Sequence, residues 1–484
     1  MVYRSSYVNV NVLPNPRIAN LGGGVRLPAV VALGPTTVSV VDEAVQRGTG
    51  SVDYLSVYAT SGVTISQIAN SPGVVSGKLN AVLVSQSGAL YNTASGSFGS
   101  GDGSMTWNLT PSVDVPSTGS VYYVTYSYDA PASQYDPTVM VDKKYITAKY
   151  GAENTANGML SIGGSIALEN NSPGVLLVQA TGSSYNVAAY QAAIDKLQKK
   201  SNIEQLVILF PSGSVTRAQQ ETLLTYAYTH VKLMNQNGRE RGLMLGTPST
   251  GSATDGFDAI GDSSTAASYV YRASVYKDKN VAYVVPSTIT RLDASGNEMV
   301  LDGNYGALGV AAVQAAQSKR STPIHGFQVV GLTLPDEKWH DTEMDQLGSG
   351  GCLVLMSEGG AVTIRDAITT DMTSADTQEV SVVAQERLVK RTLRDGLKNK
   401  FTGKGIVITP STNYDVQSYA QTLLTGLVSN GELYGYGVAF NPVTGETPIV
   451  AAIDSTEPRK VNLTCSVKYL YPLKFMDVTV SVFI

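Results

Sequence analysis

Two segments constrain this chain more than any others. Val8-Asn9-Val10-Asn11-Val12 alternates strictly between apolar and polar residues and then breaks at Pro14-Asn15-Pro16, and Asp477-Val478-Thr479-Val480-Ser481-Val482-Phe483-Ile484 alternates in the same way. A period of two is the pattern of a β-strand with one buried face, and the prolines close the first of them. Strand N–H and C=O groups must find partners. A strand pattern at each extremity therefore demands pairing within the subunit or with a neighbour, and the residues alone leave both open.

The 484 residues between and including these segments exceed what one hydrophobic core serves, so two or three domains are expected. Only 15% of residues are charged, while 47 are Gly and 27 are Tyr, a balance that favours strands joined by tight turns over long charged helices. From about 50 to 135, short runs such as Ala81-Val-Leu-Val-Ser and Val121-Tyr-Tyr-Val-Thr-Tyr-Ser-Tyr are separated by Gly/Ser-rich turns, which reads as an all-β unit. From about 136 to 330 the pattern predicts helices over 188–200 and 217–234, alternating with strands over 205–210 and 242–246, an α/β layer. The rest predicts helices over 342–347, 378–400 and 416–428 with strands over 352–356 and 361–365, a second α/β or α+β unit.

Chemistry is hard to find. A net charge of -5 gives no general reason to bind nucleic acid or an anionic membrane. No apolar stretch has the length of a signal peptide or a membrane span, so a protein made and used in solution in a cytoplasm is expected. Cys352 and Cys465 lie in apolar runs and read as buried free thiols. Gly73-Val-Val-Ser-Gly77-Lys78-Leu79 has one spacer too few for a phosphate loop, and Leu79 stands where a metal-binding hydroxyl belongs. Gly96-Ser-Phe-Gly99-Ser-Gly101-Asp-Gly103 leads into Trp107-Asn-Leu-Thr rather than a helix. The three histidines, His230, His325 and His340, lack a neighbouring ligand or triad pattern. The acidic run Asp336 to Asp345 around His340 fits neither an EF-hand nor a zinc helix and reads as the start of a helix. Catalytic, cofactor and metal residues are therefore expected to be none.

One helix is more specific. Over 378–400, Arg387, Arg391, Arg394 and Lys398 follow i, i+4, i+7, i+11 and fall on one face, with Val382, Val389 and Leu393 roughly opposite. The expectation is a buried apolar side and four cations presented outward, either to solvent or to an acidic partner.

The order of these features is similar to that of the contractile phage tail sheath family, related to the sheaths of contractile bacteriocins and type VI secretion. Three stretches carry the resemblance: Pro116 to Asp129, the return phrase Tyr135-Asp-Pro-Thr-Val-Met-Val-Asp-Lys-Lys-Tyr-Ile-Thr-Ala-Lys-Tyr-Gly, and the chain from Gln378 through Gly431-Glu-Leu-Tyr-Gly-Tyr-Gly-Val-Ala-Phe. Gly359-Gly-Ala-Val-Thr-Ile-Arg-Asp stands where many sheaths carry a Gly-Ala-Arg-Thr phrase, so residue roles do not transfer there.

The resemblance implies an α/β and α+β multidomain fold: an α/β body with an inserted all-β domain and extended N- and C-terminal β-strand arms. It divides the chain into an arm at 1–22, a β-rich outer domain with its lead-in at 23–135, an α/β middle domain at 136–330, a C-terminal α+β domain at 331–472 and an arm at 473–484. It further implies a virion protein, assembled in the host cytoplasm. Its partners would be itself in hexameric rings, a tail tube protein, a baseplate and a tail terminator, with no direct nucleic acid and no membrane insertion. Val8, Val10, Val12, Val478, Val480 and Val482 would link subunits, and Arg387, Arg391, Arg394 and Lys398 would face the tube. The rival readings are an α/β enzyme or metal-binding module, and another structural protein of the tail or baseplate.

Overall fold

Leu27–Leu33 is apolar at every position and buried at every position, the condition of a strand covered on both faces of a parallel sheet. It pairs in parallel with Val175–Ala180 on one side and Ile203–Ile208 on the other. Pro28 is tolerated so deep in the sheet because the ladder shifts register between Leu27 and Pro28. The computed structural model describes residues 26–49, seven short strands between 52 and 107, and 117–472 less 154–157, 212–214, 248–259, 261–267, 294–295, 335–338, 402–407, 410, 439–447 and 457–459. Val8, Val10, Val12, Val478, Val480 and Val482 lie outside the described residues.

The body is an eight-stranded sheet in the order Thr138–Met140, Val175–Ala180, Leu27–Leu33, Ile203–Ile208, Gly242–Gly246, Val281–Val285, Cys352–Glu358, Ala361–Ile364. The inner six run parallel and the two edge strands antiparallel. The sheet redraws two expected boundaries. Leu27–Leu33, placed with the β-rich outer domain by the 23–135 division, lies in the middle of the body, as its all-apolar run requires. The division at 330/331 also cuts through one sheet, because Val281–Val285 pairs directly with Cys352–Glu358.

Helices cover the sheet. Met159–Glu169 and Gly303–Ala316 are buried nearly all round, and Arg217–Gln236 starts with a capping box between Thr216 and Gln219. The described residues from 37 to 129 are strands and their turns: Thr37–Gln46 pairs with Val121–Asp129, which pairs with Thr64–Ala69 and through it with Leu90–Tyr91. Along Val121–Asp129 the side chains of Tyr122, Val124 and Tyr126 are buried in alternation.

Near the C-terminus, Thr412–Ser429 packs against Val380–Phe401 around a separate small core of Val389, Ala420, Leu424, Leu427, Leu433 and Ile449. Two two-stranded sheets flank it, Gly435–Tyr436 with Val467–Lys468 and Val450–Ile453 with Val461–Thr464.

Candidate assembly site

Arg387, Arg391 and Arg394 do not point outward as their spacing predicts. Arg387 is 3% exposed and Arg391 5%. Both reach into the body to Glu204, itself 1% exposed, with Arg387 Nη2 at 3.3 Å and Arg391 Nη2 at 3.5 Å from its carboxylate oxygens. Arg394 continues the row by pairing with Glu240 and Asp395, and Lys398 alone of the four is exposed. The helix is covered on two sides: Val380 belongs to the body core, and Val389 on the other side belongs to the small C-terminal core. An apolar stripe marked one buried face correctly, and the arginines occupy the second.

Backbone shape makes room for them. A Cβ at Gly242 would collide with Gln205 Oε1 and Arg387 Nη1, and one at Gly238, held at φ +70°, would meet Arg394 Nη1 at 2.8 Å. Burial by itself would raise the pKa of Glu204, but the charges of Arg387, Arg391, Arg320 and Arg26 together more than offset it, holding the carboxyl down at about 2. Glu204 is therefore a charged group inside the subunit that exists because the two guanidiniums face it.

One end of the described chain is bonded to this helix, and the other to the strand that its arginines reach. At the N-terminal side, Leu27 N–H donates to the Asn202 carbonyl at 3.0 Å and Arg26 Nη1 to the Ile203 carbonyl at 3.4 Å, beside Glu204. At the C-terminal side, Gln385 is fully buried and exchanges two bonds with Leu470: Nε2 donates to its carbonyl and Oε1 accepts from its N–H, each at 2.9 Å. Neither Glu204 nor Gln385 stands out in the sequence. The available signal is Glu204-Gln205 opening an otherwise apolar buried strand.

His340 opens the helix Asp341–Ser349, its N–H donating to Glu343 Oε2 at 2.9 Å, while 336–338 of the acidic run lie outside the described residues. His230 is buried within Arg217–Gln236 and drops to about 4 through burial and then the charge of Arg241. Among the described residues no three His, Cys, Asp or Glu side chains are grouped to hold a metal ion, and no helix is long and apolar enough to cross a membrane. Both cysteines are free, Cys352 buried and Cys465 half-buried. The small sheet Val450–Ile453 with Val461–Thr464 carries Val450 and Ile453 exposed, and among the described residues no third strand joins either edge.

In sequence the chain is 24% identical over 326 residues to the tail sheath protein of Mycobacterium phage Bxz1, covering 66% of this chain. In fold it matches the helical sheath of the anti-feeding prophage in its contracted state, with a TM-score of 0.53 at 12% identity over 73% of this chain and 90% of that one. The chain is similar in sequence to a tail sheath protein and in fold to contractile sheaths. The sheath fold recurs in the PVC sheath complex of an extracellular contractile injection system in the contracted state, with a TM-score of 0.50 at 12% identity over 72% of this chain and 86% of that one. The chain spans about half the length, 52%, of the phage Bxz1 protein it matches. No protein-family profile matches it. The proteins it matches are structural sheath components rather than enzymes.

Proposed function

We propose that this chain is the structural subunit of a contractile tail sheath, polymerising as stacked hexameric rings around a tail tube and contracting to drive the tube through a host envelope. The observation that carries the reading is the agreement of two independent comparisons: a sequence relative and a set of folds both belong to contractile sheaths.

In this reading the subunits are tied together by β-augmentation. The terminal arms, with Val8, Val10, Val12, Val478, Val480 and Val482 on their apolar faces, add strands to a neighbour, and backbone hydrogen bonds carry the link. The two-stranded sheet Val450–Ile453 with Val461–Thr464 is the acceptor, since its open edges and exposed Val450 and Ile453 are what an added strand would cover. Strands between 37 and 129 form an inserted all-β domain on the outside. The exposed end of the arginine helix, around Lys398, faces the tube, in place of the buried Arg387 and Arg391. A baseplate and a tail terminator bound the polymer, which is assembled in the host cytoplasm and resides in the virion. Contraction is driven by the larger interfaces that neighbouring subunits bury in the contracted state.

Negative-stain microscopy of the purified chain, alone and with a tube protein, tests the reading. Hollow tubes with helical striations are expected. A small closed oligomer under both conditions would overturn it in favour of an α/β enzyme or binding module.

A further inference from the structure

Gln385 and Arg387 are two residues apart, roughly 200° around the helix, and so face nearly opposite ways. One holds the segment through which the chain leaves toward its C-terminal arm; the other, with Arg391, holds the strand beside which the chain leaves from its N-terminal arm. These contacts are built rather than incidental. Gln385 is fully buried and commits both ends of its amide to Leu470, and Gly242 leaves the space that Arg387 occupies.

We propose that the helix Val380–Phe401 is a common anchor that couples the two chain exits of the subunit, Gln385 clamping Leu470 on one face while Arg387 and Arg391 clamp Glu204, next to the Leu27 exit, on the other. Tension on one arm then loads the same rigid element as tension on the other, and passes through Glu204 into the middle of the body sheet. Gln385, Arg387 and Arg391 are positioning residues in this scheme. The mechanical meaning rests on the proposed linking role of the arms; the coupling itself belongs to the single subunit and is tested there.

Coupling through one element is reciprocal: loosening either clamp must loosen the other by the same factor. The test is hydrogen exchange, read by mass spectrometry, of peptides spanning 27–33 and 467–472 in the full chain. Glu204→Gln is expected to speed exchange at Leu470 as well as at Leu27, each on the order of 10-fold, the size of an ordinary coupling between sites. Gln385→Met, which keeps the volume and removes the two bonds, is expected to speed exchange at Leu27 as well as at Leu470. Arg391→Lys, which keeps a charge near Glu204, serves as the mild variant should Glu204→Gln unfold the chain.

Faster exchange confined to the mutated side in both directions overturns the anchor, and so does unchanged exchange at the far exit in folded Arg391→Lys and Gln385→Met. Tube formation by the unmodified chain is scored separately. Absence of tubes with reciprocal exchange intact would sink the sheath reading and leave the coupling standing, whereas normal tubes with independent exits would do the reverse.

Discussion

Glu204 and Arg387 meet at 3.3 Å inside the subunit, one on an inner strand of the body sheet and the other on the helix that also builds the C-terminal core. The pair joins two hydrophobic cores through a charged seam. Replacing one partner leaves the other charge buried and uncompensated, a loss that typically costs about 3–5 kcal/mol. Glu204→Gln is therefore expected to lower the free energy of unfolding by that amount in urea titration at neutral pH. A change below about 1 kcal/mol would show the seam to be well hydrated and energetically idle.

The same carboxyl sets a pH dependence. Its pKa sits at about 2 in the folded chain against an ordinary 4.5, because the facing arginines, Arg387 and Arg391 foremost, together with Arg320 and Arg26 outweigh the effect of burial. A depressed folded value means that the unfolded chain binds the proton first. The stabilisation is thus fully present above about 4.5 and is lost as pH falls through about 2. Its size is on the order of 3 kcal/mol, at 1.36 kcal/mol per unit. Urea midpoints measured from pH 6 downward should fall less steeply in Glu204→Gln than in the unmodified chain, and parallel curves would refute the assignment.

Gly242 tests whether the arginine is seated or merely nearby. A methyl group there collides with Arg387 Nη1 and Gln205 Oε1, and overpacking of a filled interior costs about 1–3 kcal/mol. Gly242→Ala and Arg387→Ala are expected to be non-additive, since removing the guanidinium relieves one of the two clashes of the methyl and leaves only that with Gln205. Strict additivity of the two losses would mean that Arg387 can leave its notch freely.

Much of the fold is legible in the sequence because its signals are local. The strand Gly242–Gly246 and the helices Arg217–Gln236, Asp341–Ser349, Val380–Phe401 and Thr412–Ser429 lie within a few residues of the spans their periodicity predicts. Met159–Glu169 and Gly303–Ala316 are illegible for a physical reason: helices buried all round have no polar face and so no period, and their glycines argue against helix. The arginine row shows the other limit. Spacing places Arg387, Arg391 and Arg394 on one face, but whether that face meets water or a carboxylate depends on Glu204, some 180 residues away along the chain.

That reversal changes how a tube contact must be probed. Charge reversal at Arg387 or Arg391 would set a carboxylate against buried Glu204 and is expected to unfold the subunit, so lost assembly would say nothing of the tube. Lys398 is exposed, and Lys398→Glu should leave the free energy of unfolding within about 0.5 kcal/mol of the original. If the helix end faces an acidic tube, this variant will need lower salt for tube-templated assembly, because the contact is an exposed, screened one repeated over many subunits. Assembly indifferent to Lys398→Glu at every salt concentration would remove the helix end from the tube interface.

The arms admit a cleaner separation of folding from assembly. Leu27–Leu33 is held on both sides by parallel partners, and Leu470 is held by Gln385, so the body is closed before either alternating segment begins. Deleting residues 1–13 or 477–484 is therefore expected to leave the monomer's free energy of unfolding within about 1 kcal/mol, since nothing of the described body is removed. If the arms link subunits as proposed, each deletion abolishes long tubes, because the acceptor sheet then receives no added strand. Thermal melts and negative-stain images of the two truncations decide the matter. Folded truncations that still build full-length tubes would show that Val8, Val10, Val12, Val478, Val480 and Val482 are not the links.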